Sequence, residues 1–146
     1  MRFSDVILQA RDREFPAHRA VLAARSSVFS HLIDRDEHRG KVQRIGLKDV
    51  DAEVLQQALK FIYTGRVDQL ESMAASLLAL ADKYALDRLK STCEEYLIDH
   101  LNASDVGSLG SLYMLADLHS ADQLKGRALK LMQQQQGALA ALISKP

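Results

Sequence analysis

The sequence has 146 residues, 47% hydrophobic and 26% charged, which is enough for one compact domain, alone or with a small appended module. Its 19 Lys and Arg residues equal its 19 Asp and Glu residues, which argues against a nucleic-acid-binding surface and a polybasic membrane anchor. The single cysteine, Cys93, excludes an internal disulfide and a multi-thiolate metal site, and favours a reducing compartment. We therefore expect a nuclear or cytoplasmic protein.

The first half of the chain combines strands and helices. The segments DVILQA and REFPA flank Arg11-Asp12, which predicts a β-hairpin whose second strand, containing Pro16, lies at a sheet edge. HRAVLAARSSVFSHLID predicts two short helices broken at Ser26 and Ser27. A third strand is expected at Val42, Ile45 and Leu47, and then a helix that ends at Gly65 in a left-handed cap.

From Leu70 onward the pattern predicts only helices. Asn102 or Ser104 is expected to cap the helix that follows, and this helix is expected to bury Val106, Leu109, Leu112 and Leu115. Ser120 and Gln123 have capping-box spacing and predict a last long helix that ends near Gly137, with a new helix beyond it. No internal repeat is apparent.

Several separated motifs occur in an order known from one protein family. The stretch FSDVILQARDREFPAHRAVLAARSSVF resembles the opening of a BTB/POZ domain, and KFIYTG, LLALADKYALDRLKSTCEEYL and ADLHSADQLK resemble later segments of the speckle-type POZ protein group. The resemblance implies an α+β fold: a small three-stranded sheet capped by a helical cluster, followed by an all-helical extension. It implies a BTB/POZ domain at 1–101 and the start of a BACK-like region at 102–146.

The resemblance also implies a function in protein–protein interaction. The group acts as a substrate adaptor of cullin-3 ubiquitin ligases, with one BTB surface for dimerisation and another for cullin-3. Substrates are selected by a MATH domain, which the group carries upstream and which we do not expect in this chain. The sequence begins at the first strand, without the helix that contributes to the family's dimer, so a monomer or a weak dimer is expected.

Two groups of residues correspond to these surfaces. Asp5 and Arg19 match the acidic and basic positions of a charged pocket near the BTB dimer interface, or form an ion pair that serves the fold. His18, in the family's F-x-A-H pattern, is assigned to the same pocket, although a lone histidine is usually a hydrogen-bonded structural group. The cullin-contact surface corresponds to the following residues: Leu32, Ile33, Asp36, Glu37, His38, Arg39, Tyr84 and Leu118.

The cullin-contact loop departs from the family. Relatives carry a hydrophobic residue, any residue and then glutamate in this loop, whereas the aligned positions here read Glu37-His38-Arg39. Loss of an apolar anchor costs on the order of 2 kcal/mol at an interface hot spot. Tyr84 and Leu118 suit ordinary helix packing as well as partner contact. Cullin-3 binding therefore competes with a second hypothesis, a homo-oligomerisation or scaffolding module whose cullin site has degraded.

Other chemistries have weaker signals. His31, Asp34, Asp36, Glu37 and His38 are potential metal ligands, but they lack a regular ligand spacing, so we expect no metal site and no cofactor. Cys93 lies on an apolar helix stripe, where its neighbours Glu94 and Glu95 are expected to raise the thiol pKa. No nucleophile elbow or phosphate-binding glycine motif is present, so we expect no catalytic residues and no enzyme activity.

Overall fold

The computed structural model describes residues 3–35, 41–102 and 105–144, with Val106 and residues 136–144 described by their backbone alone. The chain folds into two compact units, Met1–Lys90 and Ser91–Pro146. The division at 101/102 between the BTB/POZ domain and the helical extension stays a prediction. The elements are, in chain order, β1 Val6–Ala10, β2 Arg13–Ala17, α1 Arg19–Arg25, α2 Ser27–Arg35, β3 Gln43–Leu47, α3 Ala52–Thr64, α4 Leu70–Lys83, α5 Asp87–Asp99, α6 Val106–Leu118 and α7 Asp122–Ser144. No helix of the described part is long and apolar enough to cross a membrane.

The sheet of the first unit has the strand order β2-β1-β3. β1 pairs antiparallel with β2 and parallel with β3, which confirms the predicted hairpin and places Pro16 on an edge strand. One sheet face is buried because alternate residues of each strand point toward the helices, among them Leu8, Phe15 and Ile45. The third strand differs from the prediction: Val42 lies outside β3 and is half exposed, while Gln43 takes the buried position and donates to the Ile33 carbonyl.

The predicted break at Ser26 and the predicted cap at Gly65 are confirmed, and the structure adds an N-terminal cap that was not predicted, Asp51. Ser26 separates α1 from α2, and its buried hydroxyl donates to the Tyr84 carbonyl and accepts from the Phe29 N–H. The Asp51 carboxylate accepts from the first N–H groups of α3, and Gly65 ends this helix with φ of 77°. The fold therefore uses local capping to set the ends of the elements that surround the sheet.

The helical elements of the second unit begin and end differently from the predictions. The residue that caps α6 is Asp105, whose carboxylate accepts from the Ser108 N–H, because a carboxylate next to the first turn satisfies that donor directly. Within α6, Leu109 is fully buried whereas Leu112 and Leu115 are half exposed. α7 continues through Gly137 as one helix, since a single glycine costs only about 1 kcal/mol in a long helix.

The expectation of no internal repeat is wrong, because the chain contains one short repeat that folds into the same turn twice. Residues 80–90, LADKYALDRLK, and residues 115–125, LADLHSADQLK, are identical at six of eleven positions. In each segment one helix ends, a residue with positive φ follows, and the next helix begins. The positive-φ residues are Ala85 (52°) and Ser120 (54°), so Ser120 belongs to the turn that ends α6 and is not the predicted N-cap of α7.

Candidate interaction site

One end of the sheet brings together the acidic and basic residues that were predicted to share a pocket. Asp5 precedes β1, and its backbone bonds to both neighbouring strand segments, at the Ala17 carbonyl and the Gln43 N–H. Its carboxylate accepts from the Arg19 backbone N–H at 2.8 Å and lies 3.4 Å from Arg19 Nε. Asp5 thereby joins the sheet to the start of α1. The ion pair thus has a structural role in the fold, which is compatible with a further role in partner contact.

The Arg19 side chain is the more buried member of the pair. Its relative exposure is 18%, against 45% for Asp5, and its Nε has no hydrogen-bond partner in the described structure. A partly desolvated guanidinium requires compensating acceptors. The Asp5 carboxylate, 3.4 Å away, supplies the compensating charge, so this end of the sheet presents one carboxylate to solvent with its cationic partner beneath it.

His18 lies next to this pair and binds Tyr63 at the end of α3. The Tyr63 hydroxyl accepts from the His18 backbone N–H at 3.0 Å and lies 2.8 Å from His18 Nδ1. Burial raises the pKa of Tyr63, the hydrogen bond from the His18 backbone N–H lowers it, and the negative charge of Asp5 raises it, with a net upward shift. The hydroxyl, protonated at neutral pH even at the ordinary pKa of tyrosine, therefore keeps its proton. A protonated hydroxyl can accept from the N–H and donate to Nδ1 at once, which fixes the histidine ring.

Three exposed hydrophobic residues accompany the cluster formed by Asp5, Arg19 and His18. Two of them are close in sequence to residues that bond within the cluster, and the third is a hydrogen-bond partner of His18. Phe3 is 87% exposed and precedes Asp5, Val42 is 51% exposed and precedes Gln43, and Tyr63 is the partner of His18. Sequence patterns did not identify these three as site residues. Tyr63 lies within the KFIYTG segment, but only the folded chain brings α3 to His18.

The residues predicted to contact cullin-3 fall into three groups. Asp36, Glu37, His38 and Arg39 lie outside the described residues. Leu32 is partly exposed on α2, and Leu118 at the end of α6 is 75% exposed. The buried members of the predicted set are Ile33 and Tyr84.

Tyr84 is held by contacts within the first unit. Its ring stacks on Phe29 with centroids 4.9 Å apart and planes 8° from parallel, and its backbone carbonyl accepts from Ser26. Burial raises the pKa of its hydroxyl. These contacts favour the packing interpretation of Tyr84, whereas the exposure of Leu118 leaves that side chain available.

The described residues contain no group of three or more His, Cys, Asp and Glu side chains that could hold a metal ion. His31 and Asp34 are described, but the other potential ligands of the loop are not. Cys93 is buried, and burial raises the pKa of its thiol to about 12. The direction of this shift is the expected one, but its cause is desolvation and not the charge of Glu94 and Glu95. A thiol in this state is not a nucleophile at neutral pH.

Comparison with known proteins identifies the family. The model of the BTB/POZ domain family matches residues 1–101. The chain is also similar to the BTB domain of zebrafish PATZ1, with 27% sequence identity and a TM-score of 0.57 over 65% of this chain and 75% of that one. The three-stranded sheet and surrounding helices agree with this fold. The chain therefore belongs to the BTB/POZ family, whose domains are protein–protein interaction modules.

Proposed function

We propose that this chain is a substrate adaptor module of a cullin-3 ubiquitin ligase. The observation that carries the proposal is the BTB/POZ match over residues 1–101, together with the later motifs that resemble the speckle-type POZ group. The adaptor docks the cullin with its own surface and leaves the transfer chemistry to other subunits. Substrates are selected by a domain outside this sequence.

By resemblance, we assign cullin contact to Leu32 on α2 of the first unit and, separately, to Leu118 on α6 of the second unit. Residues 36–39, which the resemblance also assigns to it, lie outside the described residues. Leu32 is partly exposed and Leu118 is 75% exposed, so both can bury apolar area against a partner. We assign Ile33 and Tyr84 supporting roles, because both are buried and Tyr84 stacks on Phe29 near the start of α2.

The proposed self-association surface is the sheet end with Asp5, Arg19 and His18. Phe3 and Val42 supply exposed apolar area there, and the solvent-facing carboxylate of Asp5 supplies a charged contact. Apolar side chains beside a fixed charge provide both burial and orientation in a dimer.

A second candidate function is homo-oligomerisation or scaffolding without cullin-3. The observation that favours it is the loop sequence Glu37-His38-Arg39, where relatives of the speckle-type POZ group carry an apolar anchor. A charge in that position loses the burial energy of the anchor and adds a desolvation penalty.

Isothermal titration of the chain against the N-terminal domain of cullin-3 separates the two functions. Light scattering on the same sample gives the oligomeric state. The adaptor function predicts a dissociation constant below about 1 µM, equivalent to roughly −8 kcal/mol. Absence of binding at tens of micromolar, with retained self-association, overturns it in favour of scaffolding.

Matched variants locate the surface. Leu118→Lys should weaken cullin binding by about tenfold or more, the effect of losing one hot spot, and Glu37→Leu should strengthen it by restoring an anchor. Ser76→Lys adds the same charge at an exposed position of α4 and should leave binding unchanged. Equal effects of Leu118→Lys and Ser76→Lys would remove α6 from the cullin surface.

A further inference from the structure

The outer edge of β3 carries backbone groups that are open to a further strand. The Gln43 N–H bonds to the Asp5 carbonyl, so Gln43, Ile45 and Leu47 turn their backbone groups toward β1. Arg44 and Gly46 alternate with them and therefore turn their N–H and C=O groups away from the sheet. Within the described part of the chain, no group bonds to these N–H and C=O groups. We call the backbone groups of Arg44 and Gly46 the β3 edge.

The opposite edge of the sheet, on β2, is blocked by a proline. Ile7 turns its backbone groups toward β3, and its register partner on β2 is Pro16. Partners that do not bond to each other in an antiparallel pair both face outward, so Pro16 lies on the outer edge of β2. Proline has no N–H to offer to another strand, and natural sheets use it to protect their edges. β3 contains no proline.

The side chains of β3 leave its edge uncovered. The Arg44 side chain reaches across the outer sheet face toward β2, where its Nη1 lies 2.6 Å from Glu14 Oε1. Because β1 lies between these two strands, the guanidinium points away from the β3 edge. Gly46 has no side chain, and a Cβ built there would meet no described atom within 4 Å. Both residues are exposed, so a strand can approach without displacing a side chain.

Basic residues lie at both ends of the β3 edge. Lys41 precedes the strand, Lys48 follows it, and Lys83 Nζ donates to the Lys48 carbonyl at 3.1 Å. All three lysines are exposed, and none has an ion-pair partner among the described residues. Asp49 offsets one of these charges, and the sequence from 41 to 48 contains no acidic residue. The edge therefore has a positive surround.

We propose that the β3 edge binds an extended acidic segment of a partner protein, which adds a fourth strand to the sheet. Only an extended backbone offers donors and acceptors at the spacing of alternate strand residues, about 6.6 Å. Lys41 and Lys48 are seven positions apart, which is about 23 Å in a strand. A segment of seven to nine residues with carboxylates near both ends matches that distance.

Charge favours this occupant over a second copy of β3. A second copy would bring the lysines at the ends of its own β3 to an edge that is already positive, whereas an acidic segment neutralises it. The site goes beyond the proposed adaptor function, because neither Arg44 nor Gly46 belongs to the proposed cullin or self-association surface.

Amide hydrogen exchange measured by NMR tests the open edge and its occupant. In the free chain, the amides of Arg44 and Gly46 should exchange about tenfold or more faster than the amide of Ile45, which bonds within the sheet. The probe is a nine-residue peptide of alternating threonine and valine with two glutamates at each end. Saturating peptide should slow exchange at Arg44 and Gly46 and leave Ile45 unchanged. Protection confined to other residues overturns the proposal, and protection that grows with protein concentration without peptide assigns the edge to a second copy.

A proline variant tests the backbone contact. Gly46→Pro removes an N–H that makes no bond within the sheet, as Pro16 does on β2, and should weaken peptide binding about tenfold, the effect of one lost hydrogen bond. Gly46→Ala keeps the N–H and should bind like the parent. Fluorescence anisotropy of the labelled peptide measures both, and equal binding by the two variants overturns the proposal. A fully N-methylated peptide with the same side chains should not bind the parent, which gives the same test without altering the fold.

Charge reversal tests the acidic character of the partner. Lys48→Glu should weaken binding of the acidic peptide about threefold or more and strengthen binding of a peptide with lysines in place of the glutamates. Arg66→Glu, at an exposed position beyond α3, is the control and should change neither. Equal affinity of the parent for both peptides overturns the acidic partner. Cullin-3 titration of Gly46→Pro should match the parent, so loss of the adaptor function and loss of this site are observed separately.

Discussion

The turns between α4 and α5 and between α6 and α7 have the same local structure in different surroundings. In the first, Leu86 N–H bonds to the Ala81 carbonyl and Ala85 N–H to Asp82. In the second, Ala121 N–H bonds to the Ala116 carbonyl and Ser120 N–H to Asp117. Both are Schellman motifs that place a residue other than glycine in the left-handed region.

The ion pairs across the two turns are also equivalent. Lys90 Nζ lies 3.0 Å from Asp82 Oδ1, and Lys125 Nζ lies 2.7 Å from Asp117 Oδ1. The surroundings differ because α4 packs against α3, whereas α6 and α7 pack against each other. A short sequence therefore sets the conformation of the turn, and the elements that pack against the turn determine which of its side chains are buried.

The largest expected effect is on the thiol reactivity of Cys93 on α5. The equivalent residue on α7 is Ala128, and both residues are fully buried. The change in thiol pKa from 9.0 to about 12 corresponds to a roughly thousandfold lower thiolate population at pH 8. Native protein should therefore react with a thiol reagent about a thousandfold more slowly than urea-unfolded protein. An Ala128→Cys chain also carrying Cys93→Ala should be similarly protected, and rapid native labelling at only one position would break the equivalence.

The raised thiol pKa also predicts a dependence of stability on pH. The unfolded thiol loses its proton near pH 9, whereas the folded thiol keeps it until about pH 12. The contribution of Cys93 is therefore complete below pH 9 and is lost as pH rises toward 12. The free energy of unfolding of Cys93→Ala should fall less steeply over this range than that of the parent, and parallel curves would contradict the buried, neutral thiol.

The next effect distinguishes Tyr84 from its equivalent His119. Tyr84→Ala removes the ring stacked on Phe29 and should lower the free energy of unfolding by about 3 kcal/mol. His119 is only half buried, so His119→Ala should cost less than about 1 kcal/mol. Urea denaturation followed by circular dichroism measures both, and similar losses would mean that the two turns have similar surroundings.

The turn residues themselves should respond alike. Ala85→Gly and Ser120→Gly each relieve a left-handed residue that has a side chain, which costs about 1 kcal/mol or more. We expect each variant to be more stable by up to about 1 kcal/mol, with equal shifts in the urea midpoint. Destabilisation at one position alone would show that its side chain makes a contact that outweighs the strain.

The smallest effect is expected from the ion pairs. Asp82→Asn should cost about 0.5 kcal/mol, because the Asp82–Lys90 pair is only partly exposed. Asp117→Asn should cost less, since the Asp117 side chain is 60% exposed. Adding salt should reduce the difference between each variant and the parent, and a larger loss for Asp117→Asn would reverse the order.

Much of the first unit was predictable from short patterns. The Arg11-Asp12 hairpin, the break at Ser26 and the stop at Gly65 are set by turn and cap preferences of a few consecutive residues. Val42 and Gln43 show where such patterns fail. Strand register depends on pairing with β1 and on the Ile33 carbonyl, so a polar residue took the buried position that hydrophobicity had suggested for its neighbour.

The candidate site was predictable only in part. Asp5, His18 and Arg19 were identified through the family resemblance, and the structure places Asp5 and Arg19 in contact. Tyr63 was not, because it lies 45 positions from its partner His18. A periodic pattern relates residues within one or two helical turns, and contacts between distant segments leave no periodic signal.

The sequence by itself determined the family, the helix and strand types, the hairpin and the C-terminal cap of α3 at Gly65, because these depend on residue type and near neighbours. Tertiary structure decided which equivalent residues became core, such as Tyr84, and which stayed half exposed, such as His119. The reason is physical: burial depends on what packs against a side chain, and that is set by contacts between segments far apart in the chain.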